Sequence, residues 1–114
     1  MLNNKVEKSL MKPLQTTLAV QTGSADVNYC LKVGNMVFYS YRATNTNATN
    51  TFPAAIFPEG YRPKSNVSNV GTVFVNSAWY PAAPFRIDTN GRLVQILTSD
   101  VCSIVSISGF FTTD

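Results

Sequence analysis

Apart from its tyrosines, this 114-residue chain has six acidic side chains, nine basic ones and two cysteines with which to build a reaction centre, and it has no histidine. Without imidazole, Ser-His-Asp and Cys-His nucleophile systems are excluded, and so are most general bases that work near neutral pH. Carboxylate or lysine chemistry remains. A glycosidase needs two carboxylates facing one cleft, and the candidates are Glu59, Asp88 and Asp100, with Asp26 weaker. Each has a simpler explanation: Glu59 sits in a turn, Asp88 stands where it can pair with Arg92, and Asp100 lies in a loop. No glycine-rich phosphate loop with its lysine is present, so nucleotide chemistry has no support either. The chain is read as a non-enzyme.

Cys30 and Cys102 are isolated, with no CxxC spacing, which argues against a zinc site. They read as free, buried thiols rather than as a disulfide, because free cysteine behaves as a small hydrophobe. No metal and no cofactor is expected. Asn47-Ala48-Thr49 and Asn66-Val67-Ser68 match the glycosylation pattern, but a chain so rich in Asn, Ser and Thr produces such matches by chance.

What is left is a surface of aromatic and planar polar groups: Trp79, Tyr80, Tyr61, Arg62, Arg86, Asp88, Asn90 and Arg92. Saccharides are held by such mixtures, an aromatic face stacking on C–H groups while polar groups take the hydroxyls. The same residues also have a plainer reading. Trp79 serves equally as a core or subunit-interface anchor, Tyr61 and Arg62 as parts of a proline turn, and Arg86 and Asp88 as members of strand-end ion pairs.

Charge narrows the partners. The net charge of +3 owes much to Lys5, Lys8 and Lys12, which face only Glu7 in the first twelve residues. From Pro13 onward, Lys32, Arg42, Arg62, Lys64, Arg86 and Arg92 nearly balance Asp26, Glu59, Asp88, Asp100 and Asp114. This is no phosphate-tracking stripe, so nucleic acid is not expected. No apolar run reaches membrane-spanning length and Met1 to Pro13 is too polar for a signal peptide, so the chain reads as soluble, with no membrane insertion.

The elements that position these groups read as β-strands. Charged residues make up 13% of the chain, about half the usual share, and Asn, Thr and Ser dominate the polar remainder. Asn4 as an N-cap, Glu7 three residues on and a stop at Pro13 predict a helix of about two turns, too short to be stable without a surface to lie on. Leu14 to Gln21 reads as a strand, broken at Gly23-Ser24. Val27 to Val33 and Met36 to Ala43 flank Gly34-Asn35, a two-residue turn of the II′ or I′ kind, in a register that sets Val33 opposite Met36 and Leu31 opposite Phe38. That register gathers Cys30, Val37, Tyr39 and Tyr41 on one face, which a second sheet or another subunit should cover.

Further on, Asn45 to Thr51 reads as a surface loop and Phe52 to Phe57 as a short apolar strand. Pro58 to Pro63 is a rigid turn, and Val67 to Val75 a strand with a bulge at Gly71. Asn76 to Pro84 reads as a stiff loop presenting Trp79. Phe85 to Asp88 and Arg92 to Thr98 form a second hairpin, through a three-residue loop with Asp88 opposite Arg92 or a two-residue Asn-Gly turn. Cys102 to Thr112 closes the chain as a strand, with Val105, Ile107 and Phe111 on one face and Ile104 and Phe110 on the other. The fold class is all-β, an antiparallel jelly-roll-like barrel or sandwich of about eight strands with a short N-terminal helical segment. Residues 1–13 are read as a neck remnant or linker, and 14–114 as the β domain.

The stretch Phe57-Pro58-Glu59-Gly60-Tyr61-Arg62-Pro63, the hairpin Lys32 to Val37 before it and Ile87-Asp88-Thr89-Asn90-Gly91-Arg92-Leu93 after it resemble the C-terminal head domain of phage tail receptor-binding proteins. Siphophages of Gram-positive bacteria, lactococcal ones among them, give the nearest pattern. The resemblance spans roughly Val27 to Thr113 and ends in Ser-Ile-Ser-Gly-Phe-Phe-Thr-Thr, similar to that family's last strand. It implies a β-barrel head, a homotrimer on a stalk and adsorption to a bacterial cell-wall polysaccharide or other surface glycan. It also implies attachment to baseplate or tail proteins through the N-terminus, and a place in the virion. The loop around Trp79 and the hairpin Arg86 to Arg92 match regions that line a sugar cleft in that family. A purely structural trimeric tail-tip or fibre-capping domain is the alternative.

Overall fold

The hairpin expected around Gly34-Asn35 is the spine of the molecule. β3 (Ser24–Val33) and β4 (Met36–Ala48) pair with Leu31 opposite Phe38 and Val33 opposite Met36. Gly34 has φ of 59° and Asn35 is not left-handed, which makes the turn type II′. The computed structural model describes residues 14–114, so the helix expected over Asn4 to Pro13 lies outside the described residues.

Around this hairpin run β1 (Leu14–Thr16), β2 (Ala19–Val20), β5 (Ala55–Ile56), β6 (Val67–Val75), β7 (Ala78–Ile87), β8 (Arg92–Gln95) and β9 (Cys102–Thr112). All nine strands form one antiparallel sheet in the order β1-β3-β4-β9-β6-β7-β8-β5-β2, curled into a half-barrel. The curl is dictated by connectivity. β1 and β2 occupy opposite edges, yet only Thr17 and Leu18 separate them, a span of about 11 Å at most from Thr16 to Ala19. At that seam the Asn28 side chain takes the place of a strand: its Oδ1 accepts from the Leu18 N–H at 2.7 Å and its Nδ2 donates to the Leu18 carbonyl at 2.8 Å. Leu18 itself is buried.

Nine strands stand where about eight were expected, because Leu14 to Gln21 is split between the two edges. The face of Cys30, Val37, Tyr39 and Tyr41 is fully buried within this one chain. The curled sheet covers it, so neither a separate sheet nor a subunit is needed there. Phe57, just after β5, plugs the interior: its ring meets Tyr39 edge-on at 5.2 Å and Phe111 at 5.3 Å. The Tyr39 hydroxyl accepts from Asn69 Nδ2 at 2.9 Å, which in turn reaches the Ser108 carbonyl at 3.1 Å. Burial pushes the Tyr39 pKa up, partly offset by that bond from Asn69.

Two segments expected as loops are strands over part of their length, while Thr49 to Thr51 stays a surface loop. Asn45 to Ala48 continues β4, with Thr46 and Ala48 pointing into the core and Asn45 and Asn47 outward. Small residues at every second position let a polar tract keep a buried face, and the Thr46 hydroxyl is satisfied by the Cys102 carbonyl. Asn76 and Ser77, both left-handed at φ of 53° and 64°, form a type I′ turn between β6 and β7. The segment Ala78 to Pro84, with Trp79 on it, is therefore the first part of β7. Its prolines are tolerated because this part of β7 has only β6 beside it and because β7 bulges there, Pro81 and Ala82 standing opposite Thr72 alone. The bulge expected in β6 at Gly71 thus lies on the partner strand, while β6 stays regular against β9.

Candidate functional site

Antiparallel strands of this length give the sheet two ends. The cleft end carries the β3–β4 turn, the Pro58–Pro63 turn, the β7–β8 turn and the end of β9. The tryptophan end carries the β6–β7 turn and the loop that follows β8. The eight residues singled out in the sequence divide between them. Trp79 and Asp88 lie nine positions apart along or just beyond β7, about 30 Å in extended chain. They cannot line one cleft in a single chain.

At the cleft end, two turns lock together. Phe57 N–H donates to the Gly91 carbonyl at 2.8 Å, and Arg62 Nε donates to the Phe57 carbonyl at 2.8 Å. Gly91 has φ of 84°, and a Cβ there would stand 2.7 Å from Arg62 Nε and 2.7 Å from the Phe57 carbonyl oxygen, so no larger residue fits. The β7–β8 loop has three residues, with Asp88 N–H donating to the Arg92 carbonyl at 3.2 Å and Gly91 N–H to the Asp88 carbonyl at 2.8 Å. This is the first of the two expected registers.

Asp88 holds that loop together. Its carboxylate accepts from Asn90 N–H at 2.9 Å, Arg92 N–H at 3.1 Å and Arg92 Nε at 2.7 Å. Burial pushes its pKa up, but the hydrogen bonds from Arg92, the guanidinium charge and the Asn90 N–H together hold it below 3.8. Asp88 and Arg92 thus serve the turn, the plainer of their two readings. Asn90 stays exposed at the tip. Tyr61 is half-buried, with the Lys32 ammonium 5.9 Å over its ring and bonded to the Gly60 carbonyl at 2.6 Å. Arg86 lies between Ser68 and Val94 in the register and forms no ion pair among the described residues; its Nε is buried without a partner among them.

Beside these turns opens a cleft of about 230 Å³, between Pro63, Lys64, Ser65 and Val67 on one side and Phe110, Phe111, Thr112 and Asp114 on the other. Phe111 is its buried floor, and Phe110 on the outer face is 64% exposed. At Gly109, one residue before, a Cβ would stand 2.2 Å from Asn69 Nδ2, so a larger residue there would displace the Asn69 side chain from its bond to Tyr39. The sequence reading did not single out Lys64, Ser65, Phe110, Thr112 or Asp114. One signal for Phe110 was present, since strand alternation sets it opposite the core residues of β9.

At the other end, Trp79 is 55% exposed and packs on Phe74 at 4.9 Å between ring centroids, while Tyr80 is 41% exposed. Trp79 is thus no core residue of this chain. Asn76 Nδ2 donates to Asp100 at 2.8 Å, tying the β6–β7 turn to the neighbouring loop. Cys30 and Cys102 are free and buried, and burial pushes the Cys30 thiol up to about 11. No group of three or more metal-ligating side chains occurs among the described residues, and no helix among them is long and apolar enough to cross a membrane. No family model and no curated protein sequence matches this chain.

Proposed function

We propose that this chain is the host-recognition head of a phage tail receptor-binding protein, a jelly-roll-like barrel or sandwich that adsorbs as a homotrimer to a bacterial surface saccharide. In this reading it catalyses no reaction, uses no metal or cofactor, and is held on the tail tip or baseplate of the virion through its N-terminal segment. The observation that carries the reading is the cleft end. There two interlocked turns hold Tyr61, Arg62 and Asn90 at the same end of the sheet as an open cleft edged by the exposed Phe110 ring. A rigid scaffold presenting an aromatic ring among planar polar groups suits an amphipathic, hydroxyl-rich ligand at low entropic cost.

A second reading, a structural trimeric tail-tip or fibre-capping domain, draws on the exposed Trp79, which rests on Phe74, and on Phe38, which adjoins Phe110 at 6.0 Å on the outer face. Exposed aromatics of this kind suit subunit contacts as well as ligands. One experiment separates the two. Fluorescently labelled protein is applied to a broad panel of Gram-positive cells while its native mass is measured by light scattering. The adhesion reading expects decoration of at least one strain, and trimers that persist in Trp79→Ala. Trimers lost in Trp79→Ala, with no strain decorated by the parent protein, would leave only the structural reading.

A further inference from the structure

We propose that the cleft between residues 63–67 and 110–114 seats one uncharged pyranose ring, stacked on Phe110 and held by Lys64 and Asp114. The proposal rests on the saccharide-binding reading above and gives it a place and a ligand charge. Size comes first. About 230 Å³ falls below the roughly 300–1,000 Å³ of sites for drug-sized ligands. It accommodates a single ring, with any further sugar units leaving through the open mouth.

The lining supplies both halves of sugar recognition. Phe110 is mostly exposed and leans on Phe38, offering an apolar surface to ring C–H groups. Lys64 is exposed and pairs with nothing among the described residues, so its ammonium brings unused donors. Asp114 is oriented by Asn35, whose Nδ2 donates to its Oδ2 at 2.7 Å. Its other oxygen is left to accept from a hydroxyl. Ser65 and Thr112 add hydroxyls at the rim.

Charge then selects among sugars. One side-chain cation and one side-chain anion face the same small space, so a uronate that gains from Lys64 is opposed by Asp114, and an amino sugar that gains from Asp114 is opposed by Lys64. An uncharged ring with neighbouring hydroxyls uses both groups at once, one as donor and one as acceptor.

The test is saturation-transfer NMR and titration calorimetry on the full chain, using methyl glycosides of uncharged hexoses and N-acetylhexosamines alongside methyl uronides. At least one uncharged glycoside is expected to bind, and Phe110→Ala to weaken it about tenfold. Lys64→Met and Asp114→Asn should each weaken it several-fold, with native mass unchanged throughout. Phe110 is exposed on the outer face, so its removal leaves the fold intact, which circular dichroism checks. Tighter binding of uronides, unchanged affinity in Phe110→Ala, or loss of the native assembly in that variant would each overturn the proposal, the last by making the cleft a subunit contact. If the protein decorates cells but binds none of these glycosides, the cleft proposal fails and the host-recognition reading stands. If glycosides bind in the cleft but no cell is decorated, the host reading fails instead.

Discussion

The two ends of this sheet use similar residues for different ends. At the tryptophan end, Trp79 and Tyr80 project from the first part of β7, with a two-residue turn and a single neighbouring strand for support. At the cleft end, the polar groups are largely consumed by structure: Asp88 accepts three hydrogen bonds, Arg62 spans from its own turn to Phe57, and Phe57 fills the interior. What remains accessible there is the cleft rim, not the charged pairs that attract attention in the sequence. A group's chemical type shows what it is able to bind, while its hydrogen bonds show whether it is still available to do so.

That contrast is open to attack by mutation. The largest effect is expected for Phe57→Ala, which empties a fully buried site in contact with Tyr39 and Phe111. It should cost about 3–5 kcal/mol, a large part of the roughly 5–15 kcal/mol that holds such a domain together. Urea unfolding followed by tyrosine and tryptophan fluorescence measures it. A cost below that of Trp79→Ala would end the distinction between a rigid cleft end and a lightly supported tryptophan end.

Next comes Asp88→Asn, which keeps the shape and removes the charge from the β7–β8 loop. About 2 kcal/mol should be lost, since hydrogen bonds to a charged acceptor are worth about 1.5–3 kcal/mol. The pH dependence follows from the direction of the shift. The folded Asp88 carboxyl lies below the ordinary 3.8, so its contribution is fully present above that pH and fades as pH falls below 3.8 and through the folded value. Melting temperature measured across acid pH should therefore fall less steeply in Asp88→Asn than in the parent protein. Identical acid limbs would mean that the loop does not depend on this charge.

The smallest effect is expected at the other end. Trp79→Ala removes a side chain that is 55% exposed and rests on Phe74, so the stability of the single chain should drop by less than about 1.5 kcal/mol. The same denaturation experiment, at a concentration where native mass reports one chain, decides it. A loss comparable to that of Phe57→Ala would make Trp79 part of the framework and erase the difference between the two ends.

Local chemistry makes part of this architecture legible in the sequence. The Gly34-Asn35 hairpin and its register and the two faces of β9 follow from turn residues and period-two alternation, which act over a few positions, and the same rules left only two registers open for the turn between Asp88 and Arg92. The misreadings have the same physical origin. Asn45 to Ala48 is polar in composition, yet β9 lies alongside to bury Thr46 and Ala48; Pro81 and Pro84 look like loop residues until the free side of β7 is known. Neither fact is local.

By itself, then, the sequence determined that residues 14–114 are all-β, where the Gly34-Asn35 hairpin turns and which side chains of the longer strands alternate. Its lack of histidine also narrowed the chemistry open to it. Only the tertiary structure decided that β1 and β2 sit on opposite edges and so force the sheet to curl, burying the Tyr39 and Tyr41 face within one chain. It also decided that Trp79 and Asp88 belong to opposite ends, and that residues 63–67 meet 110–114 around a cleft. These are contacts between segments far apart in sequence. Their positions follow from strand order and curvature, which no short window of residues encodes.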